Sequence, residues 1–337
     1  VELIHAGNFG NAAIPSVGKP KLTDHDGPSQ VRSFNAGAQR GTGFPCTTVL
    51  GQTWNKSLAY SFGINYGKEM GVQGIAMDGT YGFGANLHRS AWGGRNYEYF
   101  SEDGFLAGEM AGAEVGALLH HGVDVVLKHF ALNDTEQNRL GQAAWLTEQA
   151  AREVYLKAFQ KALEESDGNG VMTAYTRWGA IWSGGHYGLM TGIMRGEWNN
   201  NGMSITDNVL VNYCNGVDGV MAGGVTTYDA MLWYVTQQLP QYENDPVIVN
   251  GMREACHHNL YAMANSSGMN GLGADTVVKA KAPAIVTAVK TLAVVTGVLF
   301  VGMTVLWILG VRKWKKSEEY LNYKTMKQVL KDEKKAK

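Results

Sequence analysis

Cysteine is scarce in this chain: its 337 residues hold only three, Cys46, Cys214 and Cys256. Three scattered thiols supply neither a disulfide framework nor a zinc site. The run Cys256-His257-His258 does not rescue a metal centre, because neighbours on a helix face different ways. Also missing is a glycine-rich loop ending in Lys-Ser/Thr, which argues against a phosphate-bearing substrate. No export leader is visible. The opening VELIHAGNFGN begins at Val1 and lacks a basic start followed by an apolar run. Nor does a folded part of the chain carry an excess of positive charge, so no nucleic acid partner is expected.

The charge that is present is unevenly placed. Formal net charge is −1, yet ten Lys/Arg and four Asp/Glu stand from Arg312 onward. The body before that point is mildly acidic. Just ahead of this basic tail, Thr291 to Val311 runs for 21 residues without a charge. At the rise of a helix that is about 30 Å, the thickness of a bilayer's hydrocarbon core. Arg312, Lys313, Lys315 and Lys316 follow at once. The positive-inside rule then assigns the tail to the cytoplasm and the preceding body to the extracellular side of a cell membrane. An extracellular body needs an export signal, so the chain is expected to be the C-terminal part of a longer precursor.

Glycine, by contrast, is abundant, at 43 residues, and falls between apolar runs. Helical spacing marks Asn55–Met70, Glu102–His120, Thr147–Glu165, Tyr187–Trp198 and Asp245–Ala264. Short strand-like stretches lie between: Gly74–Met77, Val123–Leu127, Gly170–Ala174, Met203–Thr206 and Val217–Met221. Strands alternating with helices predict parallel βα units. A doubly wound sheet fits that alternation as well. A (β/α)8 TIM-type barrel is favoured because Lys128-His129, Tyr175 and Asp207 each follow a different strand, and barrels collect chemistry at strand C-termini. The expected organisation is a barrel over residues 1–272, a spacer over 273–290, a transmembrane helix over 291–311 and a polar, unstructured tail over 312–337.

Six segments, taken in order, resemble glycoside hydrolase family 3. They are TDHDGPSQVR (23–32), FPCTTVLGQTWN (44–55), GANLHRSAWGGRNYEYFSEDGFLAG (84–108), VLKHFALNDTEQNR (126–139), VMTAYTRWG (171–179) and LMTGIMRGEWNNNGMSITDN (189–208). The later MREACHHNLYAMANSSGMNG (252–271) looks like the barrel's end in members whose two domains occur in reversed order. The resemblance implies a retaining exo-acting β-glycosidase, most simply a β-glucosidase, acting on a β-glycoside or oligosaccharide. Its chemistry requires no metal and no organic cofactor.

Asp207, after the strand GMSIT, matches the family's nucleophile. Such a carboxylate attacks the anomeric carbon through an oxocarbenium-like transition state, and water releases the ester. From spacing alone, Asp207 could instead cap a following helix. The resemblance assigns substrate-binding roles to Asp26, Arg32, Arg95, Lys128, His129 and Tyr175. Taken singly, Arg95 or Lys128 fits a structural ion pair equally well. The cations are expected to keep Asp207 ionised. Asp134 and Glu136 read as supporting loop groups.

Three departures stand out. Asn208 replaces the Trp that often follows the nucleophile, WNNN (198–201) replaces WGF, and His25 looks inserted. A retaining enzyme also needs an acid/base carboxyl roughly 5–5.5 Å from the nucleophile. The family branch that uses a His-bearing loop carries a KHFPGHG-like segment, where this chain has KHFALNDTE. The acid is therefore expected from a domain upstream of Val1. The competing reading is a membrane-anchored carbohydrate-binding protein with weak catalysis.

Overall fold

The structure, a computed structural model, describes residues 10–11, 13–31, 41–72, 77–80, 83–168, 170–209, 211–223, 225, 228, 238–269 and 284–335. It divides into two units, Val1–Val278 and Lys279–Lys337.

The first unit begins with β1 (Gly10–Asn11), antiparallel to β2 (Leu22–His25). β2 pairs in parallel with β3 (Met77–Thr80). A few residues on, Gly84 bridges in parallel to Lys128 of β4 (Val126–Phe130). β4 then pairs with β6 (Gly170–Thr173), and β6 with β9 (Ser204–Thr206), both in parallel. Strand order in space therefore follows strand order in the chain. A doubly wound sheet reverses that order at a switch point. The described strands show no reversal, and their arrangement is TIM-barrel-like. Of the expected strands, residues 74–76 lie outside the described residues.

Helices cross over between the strands: α1 (Thr47–Gln52), α2 (Lys56–Val72), α3 (Gly104–His120) and α4 (Lys157–Ser166). A π-type helix, α5 (Gly188–Glu197), precedes β9. Each boundary has a local cause. Asp103 accepts the Leu106 amide at the start of α3. Asp245 accepts the amides of Val247 and Ile248 to open α7 (Pro246–Ala264). Packing between helices depends on missing side chains: Gly104, Gly108 and Gly112 of α3 repeat every fourth residue. A Cβ on Gly108 would stand 2.4 Å from Lys161 Cβ, and one on Gly112 would stand 2.6 Å from Glu165 Cβ. The buried core beneath includes Phe83, Phe100, Leu127, Phe130, Phe159 and Val171.

One expected strand is corrected. Val217–Met221 lies in a helix, α6 (Gly216–Met221), because the Asn215 side chain accepts the amides of Val217 and Asp218 and so nucleates a helical turn. The five residues VDGVM hold three apolar positions and carry no period strong enough to choose between strand and helix.

Two further pairings come from loops. β5 (Ala143–Ala144), after β4, pairs with β7 (Arg177–Trp178), after β6, and β7 turns back on β8 (Ile181–Trp182). This small sheet ties together the loops at the C-terminal ends of two neighbouring strands.

The second unit contains α8 (Ala284–Trp314) and α9 (Glu318–Lys335). α8 spans 31 residues with a mean hydropathy of 2.5 in its most apolar stretch and no burial there. Its Thr291, Thr296 and Thr304 hydroxyls donate to carbonyls one turn back, so they leave no polar group unpaired. Two expectations change here. Residues 284–290 are helix rather than spacer, and the tail from Glu318 to Lys335 is helical rather than unstructured.

Candidate active site

Four strand ends converge on one cluster. Near its C-terminal end β4 carries Lys128 and His129, both buried. The His129 backbone is held from both sides: its amide donates to Asn86 Oδ1 at 2.6 Å, and Asn86 Nδ2 donates to its carbonyl at 3.0 Å. The peptide bonds Lys128–His129 and Phe130–Ala131 are cis. Lys128 Nζ lies 3.0 Å from Asp26 Oδ1, at the end of β2. Arg95, from the loop after β3, donates to His129 Nε2 at 2.7 Å. The same Nε2 lies 3.7 Å from Asp207 Oδ2, just past β9. Arg95, His129 and Asp207 thus stand in series.

Because arginine only donates, His129 Nε2 accepts, and the ring proton belongs on Nδ1. Burial, reinforced by Arg95, Lys128 and Arg139, holds the imidazole pKa well below 6.5. His129 is therefore a neutral group at physiological pH, and its contact with Asp207 is not an ion pair.

Asp207 has two unlike oxygens. Oδ1 accepts the Asn208 amide at 2.7 Å. Oδ2 accepts no hydrogen bond among the described residues, and the side chain is 14% exposed. One oxygen is thus fixed by a backbone amide, while the other is buried without a hydrogen bond of its own. The helix-cap alternative does not fit, since α6 is capped by Asn215 and Asp207 bonds the adjacent amide. The cations act on Asp207 in the expected direction, but burial outweighs them. Burial pushes the Asp207 carboxyl above its ordinary value, and Arg139, Arg95, the Asn208 amide and Lys128 pull it back only part of the way.

Tyr175 braces the backbone at Asp207. Its hydroxyl donates to the Asn208 carbonyl at 2.5 Å, while Tyr213 donates to the Asp207 carbonyl at 2.8 Å. The two rings meet edge to face at 4.5 Å. Asp26, Arg95, Lys128, His129, Tyr175 and Asp207 are therefore brought to one end of the parallel strands. Arg32 lies outside the described residues. His25, beside Asp26, is fully buried and its pKa falls to about 4 for that reason. Asp134 accepts the Leu87 amide, and burial lifts its pKa to about 6.

Two participants escaped the sequence reading. Glu98 is only 3% exposed and takes two bonds of 2.8 Å from Arg95, with Lys128 Nζ 3.5 Å away. Burial alone would raise its pKa, but Lys128 and Arg95 more than reverse this and hold it below the usual range. Arg139 lies 4.6 Å over the Tyr175 ring and 2.8 Å from Glu136. Among the cations near Asp207 it exerts the largest pull on that carboxyl. The GGRNYEYF segment did hold a signal for Glu98, three residues after Arg95.

The model of the glycosyl hydrolase family 3 N terminal domain matches residues 32–224, more than half of the chain. β-Glucosidase A of Butyrivibrio fibrisolvens is 37% identical over 206 residues, 60% of this chain and 24% of its own length. A β-glucosidase of Ruminococcus albus is 38% identical over 204 residues, 60% of this chain and 21% of its own. Among solved structures, β-glucosidase 3B from Thermotoga neapolitana in complex with glucose superposes with a TM-score of 0.71. Its identity is 26%, over 79% of this chain and 39% of that one. A Bifidobacterium adolescentis family 3 β-glucosidase gives 0.73 at 27% identity, over 80% and 39%. The chain thus spans about a quarter of the curated relatives and two fifths of the solved ones. Because the family model matches more than half of its length, the chain belongs to glycosyl hydrolase family 3.

Proposed function

We propose that this chain is the nucleophile-bearing part of a retaining, exo-acting β-glycosidase, with β-glucosidase the activity its relatives favour. The observation that carries the reading is Asp207: one oxygen fixed, the other without a hydrogen bond among the described residues, at a strand C-terminus beside His129. Asp207 Oδ2 attacks the anomeric carbon of a terminal β-linked sugar and expels the leaving group. A water molecule then hydrolyses the resulting aspartyl ester, so that configuration is retained. Asp26, Lys128, Arg95 and His129 receive the sugar's hydroxyls. A site built of buried charges penalises any sugar that leaves them unpaired, which gives it selectivity.

The leaving oxygen also needs a proton. The proposal assigns the acid/base to an upstream segment of the same precursor, in keeping with the reversed domain order suggested by residues 252–271. α8, with Arg312 and Lys313 at its end, supports a single membrane crossing that leaves the catalytic unit extracellular and the tail cytoplasmic.

The deciding experiment uses an activated 2-fluoro-glucoside, whose good leaving group needs no acid. It should attach one fluoro-sugar to the peptide holding Asp207, and none to Asp207→Asn. Saturable glucose binding without labelling would favour the carbohydrate-binding reading. Labelling at another residue would overturn the assignment.

A further inference from the structure

The second unit carries a surface that the glycosidase reading does not use. In α9, Tyr323, Met326 and Leu330 fall at i, i+3 and i+7, with Val329 beside them, so they form one apolar row. All four are exposed, at 46–59%. One position further round, Lys324, Lys327, Lys331 and Lys334 repeat at i, i+3, i+7 and i+10 as a parallel row. The acids keep to the ends: Glu318 and Glu319 in the first turn, Asp332 and Glu333 near the last. Glu319 and Glu333 bound the apolar row, and no acid interrupts the lysines.

The position of α9 is fixed by its neighbour. Only residues 315–317 separate it from α8, a reach of about 10 Å. The Trp314 ring packs on Tyr320 at 4.7 Å and lies 6.3 Å from Tyr323. Ser317 caps the turn, its hydroxyl accepting the Tyr320 amide. These aromatic rings sit beside Arg312, Lys313, Lys315 and Lys316. Aromatic rings within a basic collar are the pattern of a membrane–water interface.

We infer that α9 lies along the cytoplasmic surface of the bilayer, its apolar row sunk below the headgroups and its lysine row bound to anionic lipid. The inference rests on reading α8 as a membrane span. An 18-residue helix is marginal in water by itself. Burying the apolar row in the interface, with the lysines over negative headgroups, stabilises it. A second copy of α9 is the competing occupant. The clean lysine row argues against it, since self-pairing along this face would bring like charges together.

The test is hydrogen exchange on the full chain reconstituted in vesicles. With about 30 mol% phosphatidylserine, amides of residues 318–335 should exchange about tenfold or more slowly than in phosphatidylcholine alone. High salt, or the triple variant K324Q/K327Q/K331Q, should remove the difference. Equal exchange in both vesicle types overturns the inference, as does protection that grows with protein density instead of lipid charge. Alkaline carbonate extraction separates the two claims. Release of the chain defeats the span reading and this inference with it, whereas retention with unprotected α9 defeats this inference alone.

Discussion

Glu98→Gln is the most informative single change, because it removes a charge while preserving shape. In the wild-type chain this carboxylate faces Arg95 through two 2.8 Å bonds and Lys128 at 3.5 Å, with only 3% of its side chain exposed. Taking one partner from a buried ion pair costs about 3–5 kcal/mol, since the charge left behind has lost its compensation. Here Asp26 still faces Lys128 at 3.0 Å, and a glutamine oxygen still accepts one arginine N–H. The loss should therefore fall at the lower end, about 3 kcal/mol. For a unit spanning Val1–Val278 that corresponds to a Tm decrease of roughly 5 °C. The pH dependence supplies a second check. Because the folded pKa of Glu98 is lowered, its contribution is complete above the ordinary value of 4.5 and is lost as pH falls through the folded value. The gap between wild type and variant should thus be widest near neutrality and close on acidification. Thermal unfolding of the full chain in detergent, followed by near-UV circular dichroism across that range, measures both effects. A Tm decrease under about 3 °C at neutral pH, or one that stays constant as pH falls, would refute the argument.

Arg139→Gln removes the cation with the largest pull on Asp207, so the Asp207 pKa should rise further. The acidic limb of the pH profile for fluoro-sugar labelling should then move to higher pH, and a limb that stays put or moves down contradicts the assignment. Tyr175→Phe removes the hydroxyl's bond to the Asn208 carbonyl and should slow labelling on the order of 10- to 100-fold through misplacement of Asp207. Glucose affinity, measured by calorimetry, should change far less; equal losses in both would argue for a general structural role. Two glycines of α2 make an internal control. A Cβ on Gly63 would stand 2.4 Å from the Glu114 carbonyl, so Gly63→Ala should cost about 1–3 kcal/mol. Gly71 has nothing within 4 Å, and Gly71→Ala should be neutral or stabilise by up to about 1 kcal/mol. Thermal melts that rank the two the other way would contradict the packing of α2 on α3.

What the sequence made legible was whatever a local pattern determines. α7 announces itself through Asp245, whose side chain caps the helix, and Pro246 at its first position. Asp207, Lys128 and Tyr175 stand where apolar strands give way to polar residues, and that transition survives without any knowledge of packing. The helix at Gly216–Met221 was missed although its cap, Asn215, was equally visible; five residues with three apolar positions are too short to show a helical period. α9 was missed differently. Its two rows are present in the sequence at helical spacing, but a tail rich in lysine reads first as a charge run.

The site's electrostatics were the least legible part, because their sign depends on which of two large effects wins. Asp207 and Glu98 are both buried carboxyls near Arg95 and Lys128, yet one pKa rises and the other falls. The difference is contact. Glu98 receives two direct bonds from Arg95 and lies 3.5 Å from Lys128, so attraction exceeds desolvation. Asp207 meets a neutral histidine at 3.7 Å and one backbone amide, while its cations act from farther off, so desolvation prevails. A neutral His129 between Arg95 and Asp207 thus has a chemical consequence. It separates Arg95 from Asp207, so Arg95 bonds the imidazole and Glu98 instead of the Asp207 carboxylate, and Oδ2 keeps no hydrogen bond among the described residues.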